Sequence, residues 1–201
     1  MSFRICAWRA SRRVVCVLGA VVLVSGCATR LPAPITGYTC CNLHPSYAWI
    51  NSSNVLGGAM LPAGQRASFD TVKGRYYVYG KIGAGYVSLG HDTARSSEDT
   101  LRWVHRLVVP DDPAVRLASW PQDVQNAVRA ARVLPGMSRE QVLMALAYPS
   151  PADTPDLGAS TWRYWITVQD DETVDVRFDA EGRVQGLSGK PEAVRALEFR
   201  R

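Results

Sequence analysis

The stretch from residue 135 to residue 149 fixes one helix and the direction of its neighbour. It reads PGMSREQVLMALAYP, in which Ser138 can cap a helix and Gln141, three residues later, completes a capping box. The preceding segment, 121–133, has apolar residues at helical spacing and also ends at a proline-glycine pair. Because the link between the two helices is only about four residues long, we expect them to form an antiparallel pair.

Two strands with clear alternation follow this helix pair. Segment 161–169 places Trp162 and Tyr164 on one face and polar residues on the other, and segment 174–178 alternates in the same way. An acidic turn at Asp170-Asp171-Glu172 separates them, and a second hairpin turn leads into 183–187. The tail, 191–201, reads as a short peripheral helix.

The first half of the chain is predicted to be a small β-rich module. Short strands are expected between residues 49 and 89, with a three-stranded meander over its last part, a pattern compatible with an SH3-like module. A helix is predicted over 97–108, with Leu101, Val104, His105 and Val108 on its buried face. A short helix over 113–119 completes this region.

The N-terminus has the layout of a secretory signal. Four arginines precede an eleven-residue apolar run, 14–24, which is too short to span a bilayer as a mature helix. The run ends in Val24-Ser25-Gly26-Cys27, which resembles a bacterial lipobox. That resemblance implies acylation of Cys27, and Ala28 in place of Asp favours the outer membrane. The alternative is an ordinary signal with an accidental cysteine. Residues 27–37 are predicted to be an extended tether, in which segment 30–37 spans about 25 Å.

The charge balance of the mature chain argues against nucleic-acid binding. The full sequence carries 23 basic and 18 acidic residues, but segment 1–26 holds four of the basic residues and none of the acidic ones. The mature chain therefore has 19 basic and 18 acidic residues. No basic excess remains to neutralise phosphates, so we expect no nucleic-acid partner.

Six short motifs in the second half resemble the BamE (SmpA/OmlA) domain of outer-membrane lipoproteins. In chain order they are Gly136-Met137-Ser138, Glu140-Gln141-Val142, Leu146-Ala147-Tyr148-Pro149, Trp162-Arg163-Tyr164, Val176-Arg177-Phe178 and Gly182-Arg183-Val184. The resemblance covers about residues 122–187 and implies a helix pair packed on a three-stranded antiparallel sheet. It also implies a non-catalytic scaffold of β-barrel assembly, with envelope proteins and outer-membrane lipid as partners. A generic periplasmic interaction fold is the alternative.

Two features depart from the family pattern. Ala147 stands where the family has a glycine, so the helix cannot end on a glycine cap. The compact family members also have no counterpart of residues 38–119. The predicted divisions are signal 1–26, tether 27–37, β-rich module 38–96, linking helices 97–119, BamE-like domain 120–189 and tail 190–201.

The sequence Cys40-Cys41-Asn42-Leu43-His44 is the strongest candidate for thiol or metal chemistry. Two thiolates and an imidazole are plausible ligands for Zn²⁺ or Cu, with His91 as a remote ligand. However, adjacent cysteines project apart, and in an oxidising compartment a vicinal disulfide, or one buried and one free cysteine, is equally reasonable. The runner-up function is therefore a thiol- or metal-binding envelope protein. We predict no resident metal or cofactor.

No enzyme signature emerges from the remaining residues. Cys40 or Cys41 with His91 or His105, oriented by Asp92, would make a nucleophile set, but these histidines have ordinary structural explanations. The acidic turn at 170–172 is expected to be a solvated hairpin tip. The glycines at 83–85 precede a strand rather than a helix, so they do not form a phosphate loop.

Arg163 and Trp165 are the candidate partner-binding residues. Both lie on the polar face of the 161–169 strand, and Arg and Trp are enriched at binding hot spots. The alternative is that the tail helix or the N-terminal module covers Trp165.

Overall fold

The computed structural model describes residues 28–57, 59–167 and 171–200. The signal segment and the predicted acylation site, Cys27, lie outside these residues. Within them the chain is α+β, with one six-stranded mixed sheet, one three-stranded antiparallel sheet and five helices. This confirms that the chain is α+β, as predicted. In the described part of the chain, no helix is long and apolar enough to cross a bilayer.

The N-terminal lobe is built on the six-stranded sheet and one helix. Its elements are β1 (Ala28–Thr39), β2 (Trp49–Asn51), β3 (Arg66–Lys73), β4 (Tyr77–Ile82), β5 (Gly85–Gly90), α1 (Ser97–Leu107) and β6 (Val108–Val109). The strand order is β2-β5-β4-β3-β1-β6. β3, β4 and β5 form the predicted antiparallel meander, and β2 adds to β5 in parallel. One face of the sheet packs against α1 around a core that includes Phe69, Val78 and Val104.

The structure corrects the predicted tether, 27–37. From Ala28 onward the chain is strand β1, which pairs antiparallel with β3 and begins with Ala28 opposite Lys73. The register shifts once along this pairing, and Pro32 and Pro34 lie in the interval where the shift occurs. Proline has no N–H to donate, but where the register shifts the regular ladder of hydrogen bonds is already interrupted. The two prolines are therefore compatible with a strand.

Helix α1 begins at Ser97, as predicted, but it ends at Leu107 and buries a different face. Its N-cap is Ser96, whose hydroxyl accepts a hydrogen bond from the Asp99 N–H at 3.2 Å. His105 is exposed rather than buried. The helix is rotated about its axis relative to the predicted orientation. Burying the face that contains Trp103 removes more apolar area from water than burying the face that contains His105. The chain then enters β6, so segment 97–119 contributes a strand as well as helices. The buried residues of α1 are Thr100, Trp103, Val104 and Leu107.

The C-terminal lobe contains the helix pair and the second sheet. Its elements are α3 (Gln122–Arg129), α4 (Arg139–Leu146), β7 (Thr161–Thr167), β8 (Glu172–Phe178), β9 (Val184–Gly189) and α5 (Pro191–Leu197); the short α2 (Pro113–Ala118) precedes them. The sheet order is β7-β8-β9, antiparallel throughout. Trp162 and Tyr164 face a core shared with both helices, as their alternation predicts. The predicted capping box of Ser138 and Gln141 is present.

The tail is part of the core rather than peripheral. Ala193 and Leu197 of α5 are buried in the cluster that includes the helix pair. The Val133 N–H donates to the Leu197 carbonyl at 2.7 Å, and the Phe199 N–H donates to the Val133 carbonyl at 2.8 Å. These bonds tie the tail to the loop between α3 and α4, which corrects the prediction of a peripheral helix.

Candidate functional site

The predicted thiol-metal segment lies at the seam between the two lobes. The Cys40 N–H donates to the Leu107 carbonyl of α1 at 2.8 Å, and the Asn42 N–H donates to the Met144 carbonyl of α4 at 3.0 Å. The chain therefore leaves the six-stranded sheet, crosses to the helix pair and returns within three residues. Any chemistry of this segment takes place between the lobes.

Asn42 joins the lobes through its side chain. It is 2% exposed. Its Nδ2 donates to the carbonyl of Val128 at 2.6 Å and to that of Ala145 at 3.0 Å, and its Oδ1 accepts from the Ala63 N–H at 3.0 Å. Every polar atom of this buried amide has a partner, as a buried polar group requires.

Asn54 makes a second bridge to the end of α4. Its Nδ2 donates to the Leu146 carbonyl at 2.8 Å, and its Oδ1 accepts from the His44 N–H at 3.1 Å. The last carbonyls of a helix have no partner within the helix. Two asparagines of the N-terminal lobe therefore cap α4, whose next residue, Ala147, has φ 58° and ψ −164° in place of a glycine. We call Asn42 and Asn54 the asparagine clamp.

Cys40 and Cys41 form a vicinal disulfide. Cys41 is buried and Cys40 is half-buried. The disulfide lines an open cavity of about 240 Å³, which is also lined by the Arg116–Glu140 ion pair at 2.8 Å. As a disulfide the two cysteines supply neither a thiolate ligand nor a thiolate nucleophile. Within the described residues, no three His, Cys, Asp or Glu side chains lie close enough to hold a metal ion, so the runner-up ligand set is not assembled.

His44 lines a different cavity, of about 530 Å³, together with Trp49, Asn51 and Ile166. The residue is 6% exposed, and burial lowers the pKa of its imidazole to about 4. Its Nδ1 is buried, and no hydrogen-bond partner for it lies among the residues that the structure describes. His44 is therefore neutral at pH 7, in a cleft walled by both lobes.

We expect His44 to make the protein acid-sensitive, with a loss of about 2 kcal/mol in the free energy of unfolding between pH 7.5 and pH 5. The unfolded chain takes up the proton near pH 6.5, whereas the folded protein does so only near pH 4. Protonation in this window favours the unfolded state, so stability is full above pH 6.5 and falls as the pH falls toward 4. Urea unfolding of wild type and His44→Gln at both pH values measures the difference.

His105→Gln is the matched control for this measurement. His105 is exposed, so its replacement should leave the acid-dependent loss at the wild-type value. A His44→Gln variant that loses as much stability as wild type between pH 7.5 and pH 5 would assign the acid sensitivity to other groups.

Arg163 lies on the outer face of the three-stranded sheet, in an ion pair. It is opposite Asp175 on β8, and its Nε and a terminal nitrogen donate to the two carboxylate oxygens at 2.8 and 3.0 Å. The hydrogen bonds that the guanidinium donates to Asp175 raise the pKa of Arg163. The Arg163 side chain remains 49% exposed. A bidentate pair on strand positions is a rigid surface feature.

Trp165 is half-buried beside this pair. Its Nε1 donates to Asp153 Oδ2 at 2.8 Å, and its carbonyl accepts from the Leu56 N–H at 2.9 Å. It lines a cavity of about 430 Å³ with residues 51–53 of the N-terminal lobe. The N-terminal module thus covers part of Trp165, which was one of the two alternatives. The indole remains on the rim of a concave surface next to Arg163.

The other candidate residues are scattered. His91 packs against Trp103, with ring centroids 5.6 Å apart, and burial lowers the pKa of its imidazole. Burial raises the pKa of the neighbouring Asp92. Asp170 lies outside the described residues, so the acidic turn is described only from Asp171. With the cysteines oxidised, the proposed nucleophile sets lack their nucleophile.

Sequence reasoning missed the asparagine clamp. Asparagines within loops ordinarily mark turns, and nothing local distinguishes Asn42 or Asn54 from a turn residue. The one available signal was indirect: Ala147 lacks the glycine that would end α4, so another part of the chain had to supply the cap.

Comparison with known proteins gives no match, since no family model, no curated protein and no solved structure is significantly similar to this chain.

Proposed function

We propose that this chain is a non-catalytic adaptor, anchored in the outer membrane through acylated Cys27 and facing the periplasm. The lipobox at Val24–Cys27 supports the anchor. The helix pair and the three-stranded antiparallel sheet support the proposal of a BamE-like C-terminal lobe. The meander of β3, β4 and β5 is the feature that supports an SH3-like N-terminal lobe. Envelope proteins, among them the barrel-assembly machinery, are the proposed partners.

One observation carries the adaptor function: the outer face of the small sheet presents Arg163, Asp175 and Trp165 in fixed positions. The inward residues of the same strands fill the core, so this face is held by the strands rather than by a loop. Aromatic and Arg side chains on a rigid surface are the usual anchors of a protein interface. We place the partner at this face.

Charge exchange across the sheet tests the proposal. We expect Arg163→Glu to reduce cross-linking of the tagged protein to its envelope partners by about tenfold or more. The double variant Arg163→Glu/Asp175→Arg restores an ion pair within the sheet but reverses its polarity. It should therefore regain wild-type stability in urea and still fail to capture the partners.

Arg129→Glu provides the surface-charge control. Arg129 is exposed on α3 and contacts Gln125, so its reversal should leave capture unchanged. Capture that persists in both Arg163 variants would remove this face from the interface. If wild type itself cross-links to no envelope protein, the adaptor function is wrong.

A second candidate function, thiol–disulfide exchange, is favoured by the position of the Cys40–Cys41 disulfide on an open cavity. A thiolate of a partner dithiol would attack the Cys40 sulfur, forming a mixed disulfide and releasing Cys41 as a thiolate. The second partner thiol would then displace Cys40, leaving two protein thiols and an oxidised partner. Two new thiols in the folded protein after treatment with dithiothreitol would support this function, and none would exclude it.

A further inference from the structure

Strand β1 begins directly after the proposed acylation site, so the register of the sheet determines what lies beside the lipid. Ala28 is opposite Lys73 on β3, Lys73 is opposite Tyr77 on β4, and Tyr77 is opposite Gly90 on β5. Directly opposite residues share a face of the sheet, and Ala28, Lys73 and Tyr77 are all exposed. With strands about 4.8 Å apart, Tyr77 lies about 10 Å from Ala28.

Aromatic side chains extend this row across the outer face. The Trp49 indole lies over Gly90, where an added Cβ would be 2.5 Å from Trp49 Nε1 and 3.4 Å from the Tyr77 ring. The Tyr77 ring centroid is 6.4 Å from that of Tyr79. Trp49, Tyr77 and Tyr79 are 37%, 39% and 38% exposed. A glycine at position 90 thus allows three partly exposed rings to form a continuous surface.

Basic side chains border the rings at the end of the sheet where β1 starts. Arg30 on β1, Lys73 and Arg75 in the β3–β4 hairpin are all exposed. The Arg75 guanidinium lies 4.5 Å from the centroid of the Tyr76 ring. Within the described residues, none of these three cations forms a salt bridge. Tyr and Trp beside Lys and Arg are the side chains that settle at a membrane interface, where rings reach the acyl boundary and cations meet anionic headgroups.

We propose that this surface, the docking face formed by Trp49, Lys73, Arg75, Tyr77 and Tyr79, seats on the headgroup region of the bilayer that holds the acyl chains of Cys27. The inference rests on the proposed lipid anchor. Consecutive Cα atoms are about 3.8 Å apart, and the headgroup layer is about 5–7 Å deep on each side of a bilayer. Because Ala28 is already held in the sheet, anchoring Cys27 brings the docking face to the membrane.

This geometry gives the protein a defined orientation on the membrane. A free tether would let the lobes reorient at a distance, whereas a paired strand fixes the sheet at the lipid surface. The occupant is a bilayer carrying anionic lipid, since the charged residues that border the rings where β1 starts, Arg30, Lys73 and Arg75, are positive. The Arg163–Asp175 face belongs to the other lobe and stays available for a protein partner.

Labelling of lysines on the acylated full-length protein tests the docking face. The mature chain has three lysines, Lys73 in the docking face, Lys81 further along β4 and Lys190 in the C-terminal lobe. The protein is placed in vesicles of phosphatidylethanolamine and phosphatidylglycerol at a ratio of about 3:1, so that the bilayer carries anionic lipid, and is treated with a water-soluble acetylating reagent. We expect labelling of Lys73, measured by mass spectrometry against Lys190, to be at least about fivefold slower than in detergent.

Matched variants assign the protection to the rings. Tyr77→Ser/Tyr79→Ser should return Lys73 labelling to within about twofold of its rate in detergent. Tyr86→Ser should leave the protection intact, because Tyr86 is 74% exposed and lies opposite Lys81, four residues along β4 from Tyr77. Equal labelling of Lys73 and Lys190 in vesicles would overturn the docking face.

The intact mass of the purified protein separates this inference from the anchor on which it rests. If the protein is acylated but Lys73 is labelled as fast as in detergent, the lipid anchor is supported and the docking face is overturned. A mature protein without acyl mass overturns both. Protection of Lys73 that requires added peptidoglycan instead of vesicles identifies a glycan as the occupant and also overturns the docking face.

Discussion

Asn42→Ala is expected to lower the free energy of unfolding by about 4 kcal/mol. The change leaves the carbonyls of Val128 and Ala145 and the N–H of Ala63 without their side-chain partner at a buried site. A group left without any partner costs about 1–3 kcal/mol, whereas the Val128 carbonyl keeps its hydrogen bond from the Ala131 N–H. Equilibrium unfolding in urea, followed by tryptophan fluorescence, measures the loss.

Two further variants show whether the hydrogen bonds of Asn42 are responsible. Asn126→Ala removes the same side chain at an exposed position on α3, so its effect should stay within about 0.5 kcal/mol. Asn42→Asp keeps an acceptor for the Ala63 N–H but turns two donors into a carboxylate facing two carbonyls. It should therefore be at least as destabilising as Asn42→Ala. If Asn42→Asp is as stable as wild type, the clamp does not hold the lobes together.

The asparagine clamp lies within a buried contact between the two lobes. Ala147, at the end of α4, is buried with the core of the N-terminal lobe, while Leu56 and Ala63 of the N-terminal lobe pack against the core of the helix pair. Each lobe thus buries apolar surface of the other, and the buried amides of Asn42 and Asn54 fix the position of one lobe relative to the other. Weakening the clamp is expected to affect the stability of both lobes together.

The C-terminal lobe was largely predictable because its signals are local. Period-two alternation determines which face of β7 is buried, so Trp162 and Tyr164 could be placed from sequence alone. The capping box at Ser138 needs only residues within one helical turn. Short loops then restrict how neighbouring elements can pack.

The parts that the sequence left open depend on distant pairing. Residues 28–37 carry two prolines and no alternation, and only their pairing with β3 makes them a strand. The sequence of α1 contains two overlapping apolar stripes, and packing against the sheet buries the one that includes Trp103. The docking face and the clamp arise from residues far apart in the chain, which no local pattern brings together.

The candidate partner-binding residues, Arg163 and Trp165, illustrate both cases. The strand pattern placed Arg163 on an exposed face, but its ion pair with Asp175 depends on the register of β7 against β8. Trp165 was placed on the same strand, and only the structure shows the N-terminal lobe reaching it through Leu56. Local patterns assign a side chain to a face, while its partners come from the tertiary fold.

Ala147→Val is expected to destabilise the protein by about 3 kcal/mol or more, as measured by urea unfolding. Ala147 has φ 58° and ψ −164°, a region that is essentially restricted to glycine and that costs about 1–3 kcal/mol for other residues. A β-branched side chain adds to that cost. The residue is also 1% exposed, so two more methyl groups must enter a packed site.

The same Ala→Gly change at two neighbouring positions separates backbone strain from packing. At Ala147, glycine relieves the strain but loses a buried methyl group, about 0.8 kcal/mol, and gains freedom when unfolded, so its stability should stay within about 1 kcal/mol of wild type. At Ala145, inside α4 and fully buried, glycine relieves nothing and should cost about 2 kcal/mol. Equal losses at both positions would mean that Ala147 is unstrained. In that case the asparagine clamp would be an ordinary helix cap rather than the replacement for a missing glycine.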